Sequence, residues 1–178
     1  MIIGVPCEVK AEEHRVGLLP SAAYQLTQRG HRVLVETGAG AGSGYPDINY
    51  TEAGAEICDT HEAVFAAADL IVKVKEPQPE ETPLLREGQI LFTYLHLAPA
   101  PELTQELAAS KCTAIAYETI EVNGRLPLLE PMSEIAGRMS VIVGGYYLAK
   151  HFTGSGTLLG GVPGVLPGKV VVLSLRHI

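Results

Sequence analysis

A histidine stands at the end of an apolar run that is typical of a buried strand. The run Ile90–Leu97 reads ILFTYLHL, and the following Pro99 breaks the strand pattern. Alternation along a strand places Phe92, Tyr94 and His96 on one face. Histidine, with an unperturbed pKa of about 6.5, both donates and accepts protons near neutral pH. His96 is therefore either a catalytic acid–base or a packed structural histidine, and its residue type alone leaves both roles open.

Two cationic residues fall at the ends of other predicted strands. Arg15 lies in the connection that leaves the strand Ile2–Val5, and Lys75 ends the strand Leu70–Lys75. Ligands of open α/β sheets bind in the crevice outside the carboxyl ends of the strands. Arginine and lysine suit a carboxylate there, and arginine is the better bidentate partner. Together with His96, they predict a site for a small carboxylic acid that exchanges a proton. Cationic residues at strand ends are also common, so a structural role for all three is the alternative.

Lys73 shares a predicted strand face with Lys75 but is given a different role. An unpaired ammonium group inside a sheet is costly. We therefore predict that Lys73 pairs with a nearby acid such as Glu118 and does not bind a ligand.

The most glycine-rich stretch, Gly38–Gly44, reads GAGAGSG and invites comparison with a dinucleotide-binding loop. The spacing G-x-G-x-x-G is not met, because the third glycine would fall on Ser43 when counted from Gly38 and on Tyr45 when counted from Gly40. We interpret the stretch as a flexible turn between elements.

Strands and helices alternate along most of the chain. Uniformly apolar strands are typical of a parallel sheet that is covered on both faces. Ser21 fits the N-cap of the first helix and Gly30 fits its C-terminal stop. The predicted strands are Ile2–Val5, His31–Glu36, Glu56–Cys58, Leu70–Lys75, Ile90–Leu97 and the buried strand Thr113–Tyr117. The predicted helices are Ala22–Arg29, a short one over Asn49–Ala53, one over His61–Ala67 that ends near Asp69, and Pro101–Ser110. This order predicts an α/β fold with a Rossmann-like, three-layer parallel sheet.

The remaining elements follow a predicted hairpin over Glu121–Leu126, whose turn is Asn-Gly. Pro131–Lys150 is the longest helical pattern. It carries a stripe of small residues at Ala136, Ser140 and Gly144, which favours either a spine between domains or subunits or an ordinary core helix. Lys169–Leu175 is a predicted buried strand.

Composition narrows the class of protein. The 178 residues carry a net charge of −7 and are 47% apolar, which indicates a globular protein without the basic footprint of a nucleic-acid binder. Three widely separated cysteines, in no C-x-x-C arrangement, favour free thiols in a reducing cytoplasm over disulfides or a metal site. No signal peptide or membrane span is predicted.

Several motifs resemble one enzyme family. They are the opening IGVPxExK with Arg15, RGHxVLVETGAG, KVKEPQP, LFTYLHLA, AIAYET and PMSEIAGR, and they extend the likeness from Met1 to about Leu173. The chain resembles the amino-terminal part of NAD-dependent L-alanine dehydrogenases. Transhydrogenase subunits share this superfamily, but KVKEPQP and the Tyr94-Leu95-His96 run favour alanine dehydrogenase.

The resemblance implies hydride transfer between L-alanine and NAD, which yields pyruvate and ammonia. It implies that Arg15 and Lys75 bind pyruvate, that His96 with Lys75 is catalytic, and that Ser133 lies beside the NAD cofactor. It also implies a substrate-binding domain over residues 1–129 and the start of an NAD-binding domain over residues 130–178. The exposed long helix and the unpaired last strand predict self-association, and hence a homo-oligomer, to cover apolar surface.

The sequence departs from the family pattern at Ser174–Ile178. The family's glycine-rich dinucleotide loop should follow Leu173, yet no G-x-G-x-x-G occurs anywhere in the chain. We therefore expect an incomplete NAD-binding domain, as in a truncated or frameshifted enzyme, and no activity of this chain alone. The alternatives are a pyruvate-binding or subunit-interaction module, and a fragment complemented by a separate carboxyl half.

Overall fold

The computed structural model describes residues 1–173, which form parts of two compact units, Met1–Glu118 and Thr119 onward. Each unit is described separately below. The predicted boundary between residues 129 and 130 stays a prediction.

The first unit is built on a six-stranded parallel sheet in the order β3-β2-β1-β4-β5-β6. The strand order places β1, the first strand of the chain, beside both β2 and β4, so that Ile3 is opposite Val33 on one side and Leu70 on the other. The strands are β1 (Ile2–Val5), β2 (Arg32–Glu36), β3 (Glu56–Cys58), β4 (Leu70–Val72), β5 (Ile90–Thr93) and β6 (Thr113–Ala116). The predicted parallel α/β sheet is confirmed.

Helices cover both faces of this sheet. The α-helices are α1 (Pro20–Gln28), α2 (Asp47–Glu52), α3 (His61–Ala67) and α4 (Pro101–Ser110), with 3-10 turns at Ala41–Ser43, Thr82–Leu84 and Tyr117–Thr119. One buried cluster joins α1 and α2 to the sheet through Ala23 and Tyr50, and the other joins α3 and α4 through Phe65 and Leu107. The predicted three-layer arrangement is therefore present.

Two strands end earlier than their apolar runs predict. β4 stops at Val72 and not at Lys75, and β5 stops at Thr93 and not at Leu97. In both places a carboxylate takes backbone N–H groups just beyond the strand, Glu8 after β4 and Glu118 after β5. These bonds satisfy donors that a continued ladder would have used.

Three smaller predictions about the first unit are also tested. The first helix begins at Pro20 after an N-cap at Leu19 that makes no side-chain bond, so the N-cap prediction for Ser21 was wrong. The stop predicted at Gly30 is confirmed, because its φ of 82° suits a residue without a side chain. The last strand, β6, was predicted to be buried, but it lies at the sheet edge and its residues are mostly exposed.

The second unit begins with the predicted hairpin. Val122 and Arg125 form an antiparallel bridge around Asn123 and Gly124, whose φ values of 53° and 77° suit a type I′ turn. Helix α5 spans Glu130–Tyr147, not Pro131–Lys150, and a separate 3-10 turn covers Lys150–Phe152.

The strand predicted over Lys169–Leu175 is not formed in its described part. Residues 169–173 form no paired strand, because no neighbouring strand in residues 1–173 supplies the backbone bonds that such a strand needs. Ser174 and Leu175 lie outside the described residues. Within residues 1–173, no helix is long and apolar enough to cross a membrane.

Candidate active site

The residues predicted to bind a carboxylic acid lie beyond the carboxyl ends of three neighbouring strands. Arg15 follows β1, Lys75 follows β4, and His96 follows β5, and these strands are adjacent in the sheet. The last two segments are joined directly, since the Thr93 hydroxyl donates to the Lys75 carbonyl at 2.7 Å. The topology therefore brings these three residues to the edge of the sheet that the carboxyl ends of its strands form, as their positions after the predicted strands indicate.

Arg15 is held by a carboxylate that the sequence did not single out. The guanidinium donates from Nε to Glu13 Oε1 at 2.8 Å and from a terminal nitrogen to Glu13 Oε2 at 2.5 Å. These hydrogen bonds lower the pKa of Glu13 to about 2, and the nearby charge of Lys75 contributes in the same direction. Glu13 is therefore ionised at neutral pH and is shared electrostatically by both cations. In the sequence, only its position two residues before Arg15 indicates this contact.

Lys75 is half-buried, and its ammonium group lacks the salt bridge that several other lysines form. Among residues 1–173, no carboxylate forms a salt bridge with its ammonium group, although Lys10, Lys73 and Lys111 are each paired. Its backbone, in contrast, is fixed at both ends of the residue. The N–H donates to Glu8 Oε2 at 3.2 Å, and the carbonyl accepts from Thr93.

His96 is exposed and has an unusual backbone conformation. Its φ of 52° is left-handed, which strand residues do not adopt, so the predicted alternation does not extend to it. The Glu118 carboxylate accepts from the His96 N–H at 2.9 Å and from the Leu95 N–H at 3.1 Å. Glu118 thus fixes the peptide that carries the imidazole and is not the partner of Lys73.

An aromatic pair lies between these segments. Tyr94 and Tyr117 meet edge to face at 4.4 Å between ring centroids, and both contribute to raising the pKa of Arg15, after the larger effect of Glu13. The Tyr117 hydroxyl donates to the carbonyls of Lys73 and Val74 at 3.0 and 3.1 Å. Burial raises the pKa of Tyr117 above its ordinary value. Tyr117 is therefore a neutral hydrogen-bond donor that ties the segment after β4 to the segment after β6.

A chain of buried charges lies beneath this edge of the sheet. Lys73, which is 1% exposed, pairs with Glu81 at 2.6 Å and with Glu8 at 3.4 Å. The prediction that Lys73 pairs with an acid is confirmed, but the acid was wrongly chosen.

His61 continues this chain of buried charges. Its ring nitrogens lie 3.2 Å from Glu81 and 2.7 Å from Glu36. Burial opposes a charge on His61, but the hydrogen bonds to the two glutamates outweigh it and raise the pKa to about 9.

The glycine-rich stretch packs against the loop that carries Arg15. A side chain at Gly42 would place its Cβ 2.5 Å from the His14 carbonyl oxygen, and the Ser43 hydroxyl donates to that same oxygen at 3.2 Å. The stretch is an ordered turn containing the 3-10 segment Ala41–Ser43. It supports the backbone next to Arg15.

Ser133 lies in the first turn of α5, in the second unit, where its hydroxyl faces the Leu129 carbonyl at 3.5 Å. Its role beside a cofactor stays a prediction. Within residues 1–173, no group of three or more His, Cys, Asp or Glu residues is arranged to hold a metal ion.

Comparisons with known proteins place these observations in a family context. The family model "Alanine dehydrogenase/PNT, N-terminal domain" matches residues 4–136, and "Alanine dehydrogenase/PNT, C-terminal domain" matches residues 140–174. An alanine dehydrogenase of Methanococcus maripaludis is 55% identical over 97% of this chain, and one of Bacillus subtilis is 54% identical over 97%. The chain covers 47% and 46% of these relatives, so it spans about half of their length.

The chain is also similar to solved structures of this family. An L-alanine dehydrogenase superposes with a TM-score of 0.85 at 52% identity, over 94% of this chain and 46% of that one. A transhydrogenase from Sinorhizobium meliloti superposes with a TM-score of 0.64 at 30% identity, over 68% of this chain and 34% of that one.

Proposed function

The chain belongs to the alanine dehydrogenase/PNT family, and on that premise we propose that it forms the substrate-binding half of an NAD-dependent L-alanine dehydrogenase. Its ligand is a small carboxylic acid, pyruvate or L-alanine. One observation carries the proposal: the Lys75 ammonium forms no salt bridge with a carboxylate of residues 1–173, whereas Lys73, two residues earlier, is paired twice.

The contrast between the two lysines supports different roles. Lys73 is neutralised inside the protein, where an unpaired charge would be costly. Lys75 lies half-buried at the carboxyl-terminal edge of the sheet and forms no salt bridge within residues 1–173. A bound carboxylate would pair with its ammonium group, and Arg15, held beside it by Glu13, adds a second positive charge.

His96 supplies the proton step in this proposal. In the oxidative direction, the family reaction converts L-alanine, water and NAD⁺ into pyruvate, ammonium, NADH and a proton. His96 accepts a proton from the water that attacks the carbon bearing the nitrogen, or returns that proton to the departing ammonia. Lys75 polarises the carbonyl oxygen, and Arg15 orients the carboxylate. Glu118 keeps the His96 backbone in the left-handed conformation that directs the ring.

We propose that these 178 residues alone do not complete a site for NAD. The chain contains no G-x-G-x-x-G, and residues 169–173, which would lead into such a loop, form no strand. We therefore expect these 178 residues alone to bind pyruvate but not to reduce NAD. A polypeptide that carries the glycine-rich loop, continuous with this chain or separate, is required for hydride transfer.

Pyruvate titration by isothermal calorimetry tests the proposal. The expected result is a single site in the parent chain that is weakened on the order of tenfold or more in Arg15→Ala and in Lys75→Ala, since each removes a charged hydrogen bond. Lys111→Ala is the matched control, because Lys111 lies in an exposed pair with Glu87. Equal binding by all four proteins would refute the site, and NADH formation from alanine by the parent chain would refute the need for a further polypeptide.

A second candidate function is a subunit-interaction module, and exposed apolar side chains on α5 favour it. Ile135, Ile142 and Tyr147 are 61–64% exposed in the described chain. A large exposed apolar surface marks an interaction site or an aggregation risk. Sedimentation velocity over a concentration series tests this candidate: a homo-oligomer supports it, and a monomer at the highest concentration opposes it.

A further inference from the structure

Glu8 lies in the opening motif of the chain, yet the site described above assigns it no role. Its side chain is 3% exposed. Oε1 accepts the Val74 N–H at 2.6 Å, and Oε2 accepts the Lys75 N–H at 3.2 Å. One buried carboxylate therefore binds two successive peptide groups, sixty-six and sixty-seven residues further along the chain.

This pair of bonds sets the direction of the chain after β4. Both N–H groups point toward the Glu8 carboxylate. The Val74 side chain is buried at 6% exposure, while Lys75 is only half-buried. Two other side chains complete the anchoring: Thr93 donates to the Lys75 carbonyl, and Tyr117 donates to the carbonyls of Lys73 and Val74.

The charge of Glu8 is itself supported. The Lys73 ammonium lies 3.4 Å from Glu8 Oε2 and also binds Glu81. A buried carboxylate persists only when it is paired and hydrogen-bonded. Glutamate is also the residue type that fits here, because only a carboxylate offers an acceptor oxygen to each of two adjacent N–H groups.

We propose that Glu8 is a positioning residue for Lys75, whose backbone it fixes so that the ammonium group faces the carboxylic acid. This inference rests on the proposed function, because it assigns Lys75 to the ligand. Glu8 does not touch the ligand and acts through Lys75 alone.

A double-mutant cycle on pyruvate affinity tests the proposal. The proteins are the parent chain, Glu8→Gln, Lys75→Ala and the double variant. Glutamine keeps one acceptor but sets an N–H against an N–H, so Glu8→Gln should weaken pyruvate binding on the order of tenfold. In the Lys75→Ala background the same substitution should change affinity less than about twofold, because coupled residues are not additive.

Two further variants separate positioning from a loss of stability. Glu36→Gln is the matched control, since Glu36 belongs to the same buried chain of charges but binds Cys7 and His61 and not Lys75. It should leave pyruvate affinity unchanged. Thr93→Val removes the hydrogen bond to the Lys75 carbonyl with little change of shape. If Glu8→Gln does not fold, Thr93→Val replaces it in the cycle and should show the same coupling to Lys75.

The outcomes distinguish the two proposals. Weakened binding in Glu8→Gln that persists unchanged in the Lys75→Ala background would overturn the positioning role. If the parent chain binds no pyruvate, the proposed function fails, and lysine side-chain NMR decides the positioning role. The Lys75 signal, identified by its loss in Lys75→Ala, should then move in Glu8→Gln but not in Glu36→Gln; an unmoved signal in Glu8→Gln overturns the inference.

Discussion

Raising the pH should remove the stabilisation that the His61 imidazolium contributes to the first unit. His61 lies between Glu36 and Glu81 with its side chain 15% exposed, and its pKa is raised from 6.5 to about 9. Below pH 6.5 the folded and unfolded chains both carry the proton, so the stabilisation is fully present. Between pH 6.5 and about 9 the unfolded chain loses the proton first, and the free energy of unfolding falls.

The size of the effect follows from the difference between the two pKa values. One pKa unit corresponds to about 1.4 kcal/mol, so the stabilisation lost by about pH 9 is about 3 kcal/mol. The steepest slope is then about −1.4 kcal/mol per pH unit. The Cys7 thiol, whose pKa burial raises from 9.0 to about 12, lowers the free energy of unfolding only above about pH 9, where the unfolded chain begins to ionise it.

Urea denaturation followed by circular dichroism, repeated from about pH 6 to about pH 10, measures this loss. His61→Gln removes the titrating ring, so its free energy of unfolding should start lower and stay flat through the window where the parent falls. The two curves should therefore converge near pH 9. A parent curve that is flat between pH 6.5 and 9, or an equal slope in His61→Gln, would refute the assignment of the charge to His61.

Three predictions, the first with a matched control, concern other parts of the chain. Lys73→Met leaves the buried Glu8 without its cation and Glu81 with His61 alone, and it should destabilise the fold by about 3 kcal/mol or more in urea denaturation, whereas Lys111→Met in an exposed pair should cost less than about 1 kcal/mol. Gly42→Ala forces a Cβ against the His14 carbonyl, so we expect about 1–3 kcal/mol of destabilisation and weaker pyruvate binding; unchanged affinity would show that the glycine turn does not position the Arg15 loop. Gly144→Ala in α5 meets nothing within 4 Å and should stabilise the chain by about 0.5–1 kcal/mol, seen as a higher Tm.

Apolar runs and turn residues predicted the architecture because these signals are local. Each predicted strand of the sheet is present, and the helix Pro101–Ser110 has the predicted bounds. The helix predicted from His61 to near Asp69 ends at Ala67. The strand ends were missed for a different reason. Glu8 and Glu118 cap β4 and β5 from distant positions in the sequence, and no property of the capped run itself marks where a side-chain carboxylate replaces the ladder.

The two lysines after β4 show how far this limit reaches into the site. Continued strand geometry would place Lys73 and Lys75 on one face with similar surroundings. Because the strand stops at Val72, Lys73 enters a buried group of carboxylates. Lys75 stays at the carboxyl-terminal edge of the sheet and forms no salt bridge in the described part of the chain. The same carboxylate, Glu8, pairs with the first lysine and binds the backbone of the second. The separation of the paired Lys73 from Lys75, the lysine proposed to bind the ligand, therefore depends on long-range contacts such as those of Glu8. Residue type and spacing along the strand do not reveal these contacts.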